Sequence, residues 1–83
     1  MPGEKHAIIM DWVGREILPH EAIVRAWLRR SLGGDELEDV IQQAYAQIAS
    51  LSDVSHIRCG RAYFFATARS VALMRMRRAR IVR

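Results

Sequence analysis

The spacing of the apolar residues is the feature that most limits the folds open to this chain. Over most of its length, apolar residues recur every three or four positions, as they do on one face of an α-helix. No segment alternates apolar and polar residues for long enough to predict a strand. The 83 residues suffice for three or four helices around one core. We therefore predict an all-α fold, a compact bundle of three to four helices, in one domain over residues 1–83.

Proline and glycine divide the apolar pattern into separate helices. A first amphipathic helix, over residues 7–18, is expected to end near Pro19. Pro19 then suits the first turn of a second helix, because that position needs no N–H donor. Gly33 and Gly34 are expected to stop the second helix, with glycine in the left-handed conformation of a C-cap.

Two more helices are expected after these glycines. Asp35 followed by Glu38 has the spacing of a capping box, which predicts the start of a third helix. The segment 50–55 is polar and turn-forming, so it is expected to be a loop. A long final helix should run from about Arg61 to about Arg80.

The apolar stripes of the helices predict the core, because such helices are stabilised mainly by packing that face against a neighbour. The stripe positions are Ile23, Val24, Trp27, Leu28 and Leu32 on the second helix, Leu37, Val40, Ile41, Ala44, Tyr45 and Ile48 on the third, and Phe64, Phe65, Ala68, Val71, Ala72, Met76 and Ala79 on the last. Within this set, one cluster is expected to be buried together: Trp27, Leu28, Val40, Ile41, Phe65, Ala68 and Ala72.

Charge is divided unevenly along the chain. Residues 1–53 hold all nine acids and five of the thirteen bases, a balance of −4. Residues 54–83 hold eight arginines and no acid, a balance of +8. A few arginines near a C-terminus would suffice to complement a helix dipole. Eight without an acid exceed that need and favour a nucleic-acid partner.

The residue types used in catalysis and metal binding are sparse. His6, His20 and His56 are scattered, with no second ligand three or four residues away, and Cys59 has no CxxC partner. No glycine-rich phosphate-binding motif is present. We therefore expect no enzyme activity, no cofactor and no metal.

The same sequence predicts a cytoplasmic protein without a membrane span. No apolar run approaches the roughly 18 residues that a span needs. The N-terminal segment carries acids and no small-residue cleavage site after an apolar stretch, so a signal peptide is not expected. A single cysteine fits a reducing compartment.

Two helix faces are candidate binding surfaces. On the third helix, one exposed polar stripe is expected, which a solvated face would also explain; it comprises Asp39, Gln42, Gln43 and Ala46. On the last helix, Arg69, Leu73, Arg77 and Arg80 form one row, with Ser70, Met74 and Arg78 beside it. Leucine and methionine among arginines favour contact with single-stranded nucleic acid, which has both phosphates and flat apolar bases.

Three segments together resemble region two of extracytoplasmic-function sigma factors, most closely the iron-transport-regulating type. These segments are residues 28–33 (LRRSLG), 37–45 (LEDVIQQAY) and 61–70 (RAYFFATARS). The family has corresponding motifs in the same order and spacing, and the likeness covers about residues 20–80.

The resemblance implies a transcription initiation factor domain with two roles. One helix of the family docks on the β′ subunit of core RNA polymerase, a role that falls here on Asp39, Gln42 and Gln43. The last helix and the loop before it recognise and melt the −10 promoter element and hold its non-template single strand. That role falls here on the loop 52–60 and on Tyr63, Thr67, Arg69, Ser70, Met74, Arg77 and Arg78.

Some positions differ from the family pattern, and these differences leave alternatives open. Gln43 replaces a usual glutamate, Ser70 a usual asparagine and Met74 a usual aspartate. They favour a second interpretation, in which a sigma-like decoy binds an anti-sigma factor without directing transcription. A third is a basic helical nucleic-acid binder with no polymerase partner. The sequence includes no region four, so we expect a fragment of a longer chain, with a relative that has region two alone as the alternative.

Overall fold

The computed structural model describes the chain from residue 2 to residue 81, with side chains described from residue 3 to residue 79. Four α-helices account for most of this length: α1 (Pro2–Glu16), α2 (Glu21–Leu28), α3 (Gly34–Ala49) and α4 (Gly60–Ile81). A short 3-10 helix, Leu18–His20, joins α1 to α2. Residues 2–81 contain no strand, so the predicted all-α fold is confirmed.

Helix α3 is the central element of the fold. It packs against α1, α2 and α4, and its contact with α4 is the most extensive in the molecule. Its buried side chains follow the predicted apolar stripe: Leu37, Val40, Ile41, Ala44 and Ile48. Tyr45 was predicted on the same stripe but is only half-buried, because its hydroxyl extends to Glu21.

The core differs in part from the predicted cluster. Of that cluster, Leu28, Val40, Ile41 and Ala68 are buried, whereas Trp27, Phe65 and Ala72 are half-buried at its edge. Phe64, the neighbour of Phe65, is the fully buried aromatic residue. Helix α1 contributes Ile9, Trp12 and Val13, and the turn after it contributes Ile17.

Three predicted stripe positions are exposed. Ile23 on α2 is 50% exposed, Met76 on α4 is 49% exposed, and Ala79 is also exposed. The buried side chains of α4 end at Val71, so the last turns of this helix extend past the core. Met76 and Ala79 keep the helical spacing but lie beyond Val71, the last buried side chain described in α4.

The ends of the helices differ from the predicted caps. No residue between 2 and 81 has a positive φ, so Gly33 and Gly34 do not form a left-handed C-cap. Helix α2 ends at Leu28, and its last carbonyl accepts hydrogen bonds from the N–H groups of Ser31 and Leu32. Gly33, in extended conformation, is the N-cap of α3.

The predicted capping box and the predicted place of Pro19 are also wrong. Asp35 lies inside the first turn of α3, and Glu38 bonds Arg25 instead of the helix backbone. Pro19 lies in the 3-10 helix rather than in α2, where its missing N–H is equally unneeded.

One glycine determines how closely two helices approach. A Cβ atom on Gly60, the first residue of α4, would lie 2.2 Å from the carbonyl oxygen of Glu16. Because that oxygen belongs to the backbone at the end of α1, it cannot rotate away. The start of α4 therefore meets the end of α1 only with glycine at position 60.

A polar network joins α2 to α3. Tyr45 Oη donates a 2.6 Å hydrogen bond to Glu21, and Arg25 Nε donates one of 2.7 Å to the same carboxylate. The Arg25 guanidinium also bonds both oxygens of Glu38. The bonds from Tyr45 and Arg25 lower the pKa of Glu21, and the bond from Arg25 lowers that of Glu38. Burial, followed by the bond to Glu21, raises the pKa of Tyr45.

Candidate functional site

Most of the predicted DNA-binding residues of α4 lie together on one groove. We call it the arginine groove; it has a volume of about 310 Å³ and is lined by Ala66, Arg69, Ser70, Leu73, Met74 and Arg77. All six side chains are exposed. Positions 66, 69, 70, 73, 74 and 77 follow the i, i+3, i+4, i+7 spacing of one helix face, so a single face of α4 forms the groove.

The apolar and charged parts of this groove are both accessible. Leu73 and Met74 are each 38% exposed and line the groove together with Arg69 and Arg77. Within residues 3–79, the one ion pair made by an arginine of α4 is that of Arg75. The charges of Arg69 and Arg77 are thus directed to solvent.

Arg78 lies apart from the other predicted DNA contacts. It lines a separate depression of about 480 Å³ with Glu36, Arg75, Met76 and Ala79, between the start of α3 and the end of α4. The acidic residue Glu36 therefore lines the same depression as Arg78. The row was also predicted to include Arg80, whose side chain lies outside the described residues.

Tyr63 and Thr67 are less available than the groove residues. Both are half-buried, and Tyr63 packs against the core. Thr67 Oγ1 donates a 2.9 Å hydrogen bond to the carbonyl of Tyr63 in the preceding turn. Because a hydroxyl has one proton, Thr67 in this rotamer can only accept a hydrogen bond from a ligand.

The loop before α4 is held in place by apolar and polar contacts. Leu51, Val54 and Ile57 are half-buried against the core. The N–H and hydroxyl groups of Ser55 donate to the carboxylate of Asp53, at 3.1 and 2.8 Å, and lower its pKa, the N–H having the larger effect. One side of the loop is therefore attached to the core. The other side is exposed to solvent and comprises Ser52, His56, Arg58 and Cys59.

The three predicted polymerase-binding residues of α3 are in different environments. Gln42 is exposed and Gln43 is half-buried. Asp39 is exposed but accepts a 3.1 Å hydrogen bond from Arg75 Nη2 of α4. This ion pair connects the α3 stripe to the helix that carries the arginine groove.

Two participants in these surfaces were missing from the sequence prediction. Ala66 lines the arginine groove one helical turn before Arg69 and Ser70, and its small side chain leaves that part of the groove open. Arg75 continues the spacing of the buried residues Phe64, Ala68 and Val71. That spacing was the available signal that Arg75 turns toward α3 and away from the other arginines.

In the part of the chain that the structure describes, no group of three or more His, Cys, Asp or Glu side chains is arranged to hold a metal ion. None of the helices described is both long and apolar enough to cross a membrane. No protein-family model, curated protein or solved structure matches the chain.

Proposed function

We propose that this chain is a transcription initiation factor domain similar to region two of extracytoplasmic-function sigma factors. In this proposal, α4 and the loop before it recognise and melt the −10 promoter element and hold its non-template single strand. The exposed side of α3 contacts the β′ subunit of core RNA polymerase.

The observation that carries the proposal is the arginine groove, where Leu73 and Met74 are exposed between Arg69 and Arg77. Arginines attract phosphates, and apolar side chains cover the faces of unstacked bases. A fully paired duplex presents no such faces. Helix α4 also contains no Asn or Gln, the side chains that read adenine in a major groove. The groove is therefore better suited to a single strand than to a duplex.

The test is a binding series with a labelled oligodeoxynucleotide, single-stranded or paired, over increasing salt. Single-stranded DNA should bind more tightly than duplex, with affinity that falls steeply with salt because the arginines displace counterions. Arg77→Gln should reduce the slope of log affinity against log salt by about 0.7, the contribution of one single-strand phosphate contact. Arg15→Gln, which removes an exposed arginine of α1, is the matched control and should leave the slope unchanged. Affinity independent of salt would contradict the proposal.

Polymerase docking is tested separately with bacterial core RNA polymerase. Gln42→Arg adds bulk and charge to the exposed α3 stripe and should abolish co-purification with the core enzyme. Gln47→Arg makes the same change at an exposed position more than one turn away on α3 and should leave binding intact. Equal binding by both variants would contradict the α3 assignment.

The decoy function is a second candidate because Asp39 already pairs with Arg75 inside the same molecule. A carboxylate engaged in this way is less available to a polymerase. Under the decoy function, the chain binds an anti-sigma factor tightly, and added core polymerase neither binds it nor starts transcription from promoter DNA. Transcription that depends on this chain would exclude the decoy.

A further inference from the structure

A second groove lies between α2 and α4, beside the arginine groove but on another face of α4. We call it the Trp27 groove, because Trp27 lines both of its parts, of about 270 and 220 Å³. From this groove, we infer a docking site for an acidic amphipathic helix of a protein partner, whose binding excludes nucleic acid from the arginine groove. The exclusion rests on the proposed function; the docking site does not.

The groove has one face of α4 on one side, and α2 with the turn that follows it on the other. Ile23 and Trp27 of α2, together with Arg30 of the turn after α2, line the first part. On α4, Phe65 lines the first part and Met76 the second, eleven residues further along the same face. Eleven residues of helix span about 16 Å. This length suits a bound helix of about three turns.

The apolar exposure at this groove is greater than the fold requires. Ile23 is 50% exposed and Met76 is 49% exposed, although both belong to the apolar stripes that should face a neighbouring helix. Trp27 and Phe65 make an edge contact at 5.4 Å between ring centroids, and both remain half-buried. A half-exposed tryptophan at the centre of an apolar groove is typical of an anchor at a protein interface. Two facing helices form the kind of groove that receives an amphipathic helix.

The charges around the groove specify an acidic occupant. Arg30 lines one part and Arg69 the other, and no acid is among the described residues that line either part. Neither guanidinium lies within ion-pair distance of a carboxylate among residues 3–79. Complementary charge at the rim of an apolar site favours carboxylates on the partner.

The two grooves share part of their walls. Arg69 and Leu73 line both the Trp27 groove and the arginine groove. A helix seated on the Trp27 groove would engage Arg69 and cover Leu73, removing one charge and one apolar surface from the nucleic-acid face. Protein and nucleic acid should therefore compete.

The probe is a synthetic helical peptide of about three turns, with leucines along one face and glutamates on its flanks. One control has the same composition in scrambled order, and another has lysines in place of the glutamates. The acidic amphipathic peptide should bind the full chain and displace a labelled single-stranded oligodeoxynucleotide. The scrambled and lysine peptides should each bind at least about tenfold more weakly.

Two methionines allow the two grooves to be tested separately. Met76 lines the Trp27 groove but not the arginine groove, and Met74 lines the arginine groove alone. Met76→Gln should weaken peptide binding by about fivefold or more. It should leave oligodeoxynucleotide binding within about twofold. Met74→Gln should have the opposite effects. Neither side chain is buried, so both variants should fold.

Four results would overturn the docking site. They are equal binding of the scrambled peptide, equal binding of the lysine peptide, a loss of oligodeoxynucleotide binding in Met76→Gln that matches Met74→Gln, and a dimer of the chain that Met76→Gln dissociates. The third would make the groove part of the nucleic-acid site, and the fourth would make its occupant a second copy.

Simultaneous binding of peptide and oligodeoxynucleotide would overturn the competition. Peptide binding without any oligodeoxynucleotide binding would overturn the proposed function and leave the docking site standing.

Discussion

Gly60 has a structural role that no other glycine with a described environment shares. Its α-hydrogen faces the carbonyl oxygen of Glu16, and a Cβ atom in that place would meet it at 2.2 Å. Around Gly14, in the interior of α1, there is no heavy atom within 4 Å of such a position. The same substitution should therefore have opposite effects at the two sites.

Gly60→Ala should lower the free energy of unfolding by about 1–3 kcal/mol, because α1 and α4 must move apart. Gly14→Ala should raise it by about 0.5–1 kcal/mol, because glycine is unfavourable inside a helix. Urea titration of both variants measures the difference. A Gly60→Ala variant as stable as wild type would contradict the close approach of α1 and α4.

Phe64 and Phe65 are adjacent in the chain but unequal in the fold. Phe64 is fully buried, with its ring 5.1 Å from that of Tyr45. Phe65 is half-buried against Trp27. The apolar stripe predicted from the sequence included both residues, but the cluster predicted to be buried contained Phe65 and not Phe64, and the fold reverses that choice.

Phe64→Ala should cost about 3–5 kcal/mol, a large share of the stability of a domain this small. Phe64→Leu should cost about 1 kcal/mol and keeps the comparison measurable if the alanine variant unfolds. Phe65→Ala should cost less than Phe64→Ala, because its ring already contacts water. Thermal melting measures all three, and a larger loss in Phe65→Ala would reverse the assignment of the core aromatic.

At the scale of elements, the α2–α3 contact depends on ionised carboxylates as well as on apolar packing. The pKa of Glu21 is lowered in the fold by Tyr45 and Arg25. Its ionised form therefore stabilises the fold above the unfolded pKa of about 4.3. That contribution is lost as the pH falls through the lower folded pKa. The hydrogen bond from Arg25 also lowers the pKa of Glu38, so the ionised form of Glu38 stabilises the fold in the same way.

The melting temperature should therefore be nearly constant from neutral pH to about pH 5 and fall below that. Glu21→Gln should melt lower at neutral pH and lose less on acidification, because the carboxylate that titrates is absent. Glu4→Gln, which removes an exposed carboxylate of α1, is the control and should follow the wild-type profile. Parallel profiles for wild type and Glu21→Gln would exclude this role of Glu21.

Helix α4 shows how one element serves two purposes along its length. Its first half supplies the buried Phe64, Ala68 and Val71, whereas its last turns pass beyond the core and expose their side chains. The apolar spacing continues into those turns, which is why Met76 and Ala79 were predicted to be covered. The spacing of apolar residues identifies one face of a helix. How much of that face is buried depends on where the neighbouring helix ends.

At the scale of the whole molecule, the Asp39–Arg75 ion pair connects the two candidate surfaces. Asp39→Asn would release Arg75 and lower the negative charge beside α4. Single-stranded DNA should then bind about threefold more tightly at low salt, within the range of an exposed ion pair. The gain should disappear at high salt, where exposed charges are screened.

Asp35→Asn is the matched control for that prediction. Asp35 is an exposed acid in the first turn of α3, and its replacement changes the net charge by the same amount. If both variants gain equally, the effect is one of overall charge. A gain limited to Asp39→Asn indicates the release of Arg75.

By itself, the sequence determined the all-α class, the approximate extents of α3 and α4, and most positions of the α3 core stripe. These features depend on local spacing, which a helix repeats every three or four residues. The same spacing brought together Arg69, Ser70, Met74 and Arg77, because successive turns of one helix place them on the same face. It also predicted exposed Leu73 among the arginines.

The tertiary structure decided everything that depends on residues distant in the chain. The predicted capping box of α3 was wrong because Glu38 bonds Arg25 of α2 instead of its own backbone, and no local pattern contains that partner. Arg75 turns to Asp39, thirty-six residues away, and Gly60 meets the end of α1. The Trp27 groove exists only where α2 and α4 lie side by side. Local spacing selects helices and their faces, whereas the choice of partners depends on packing among all of them.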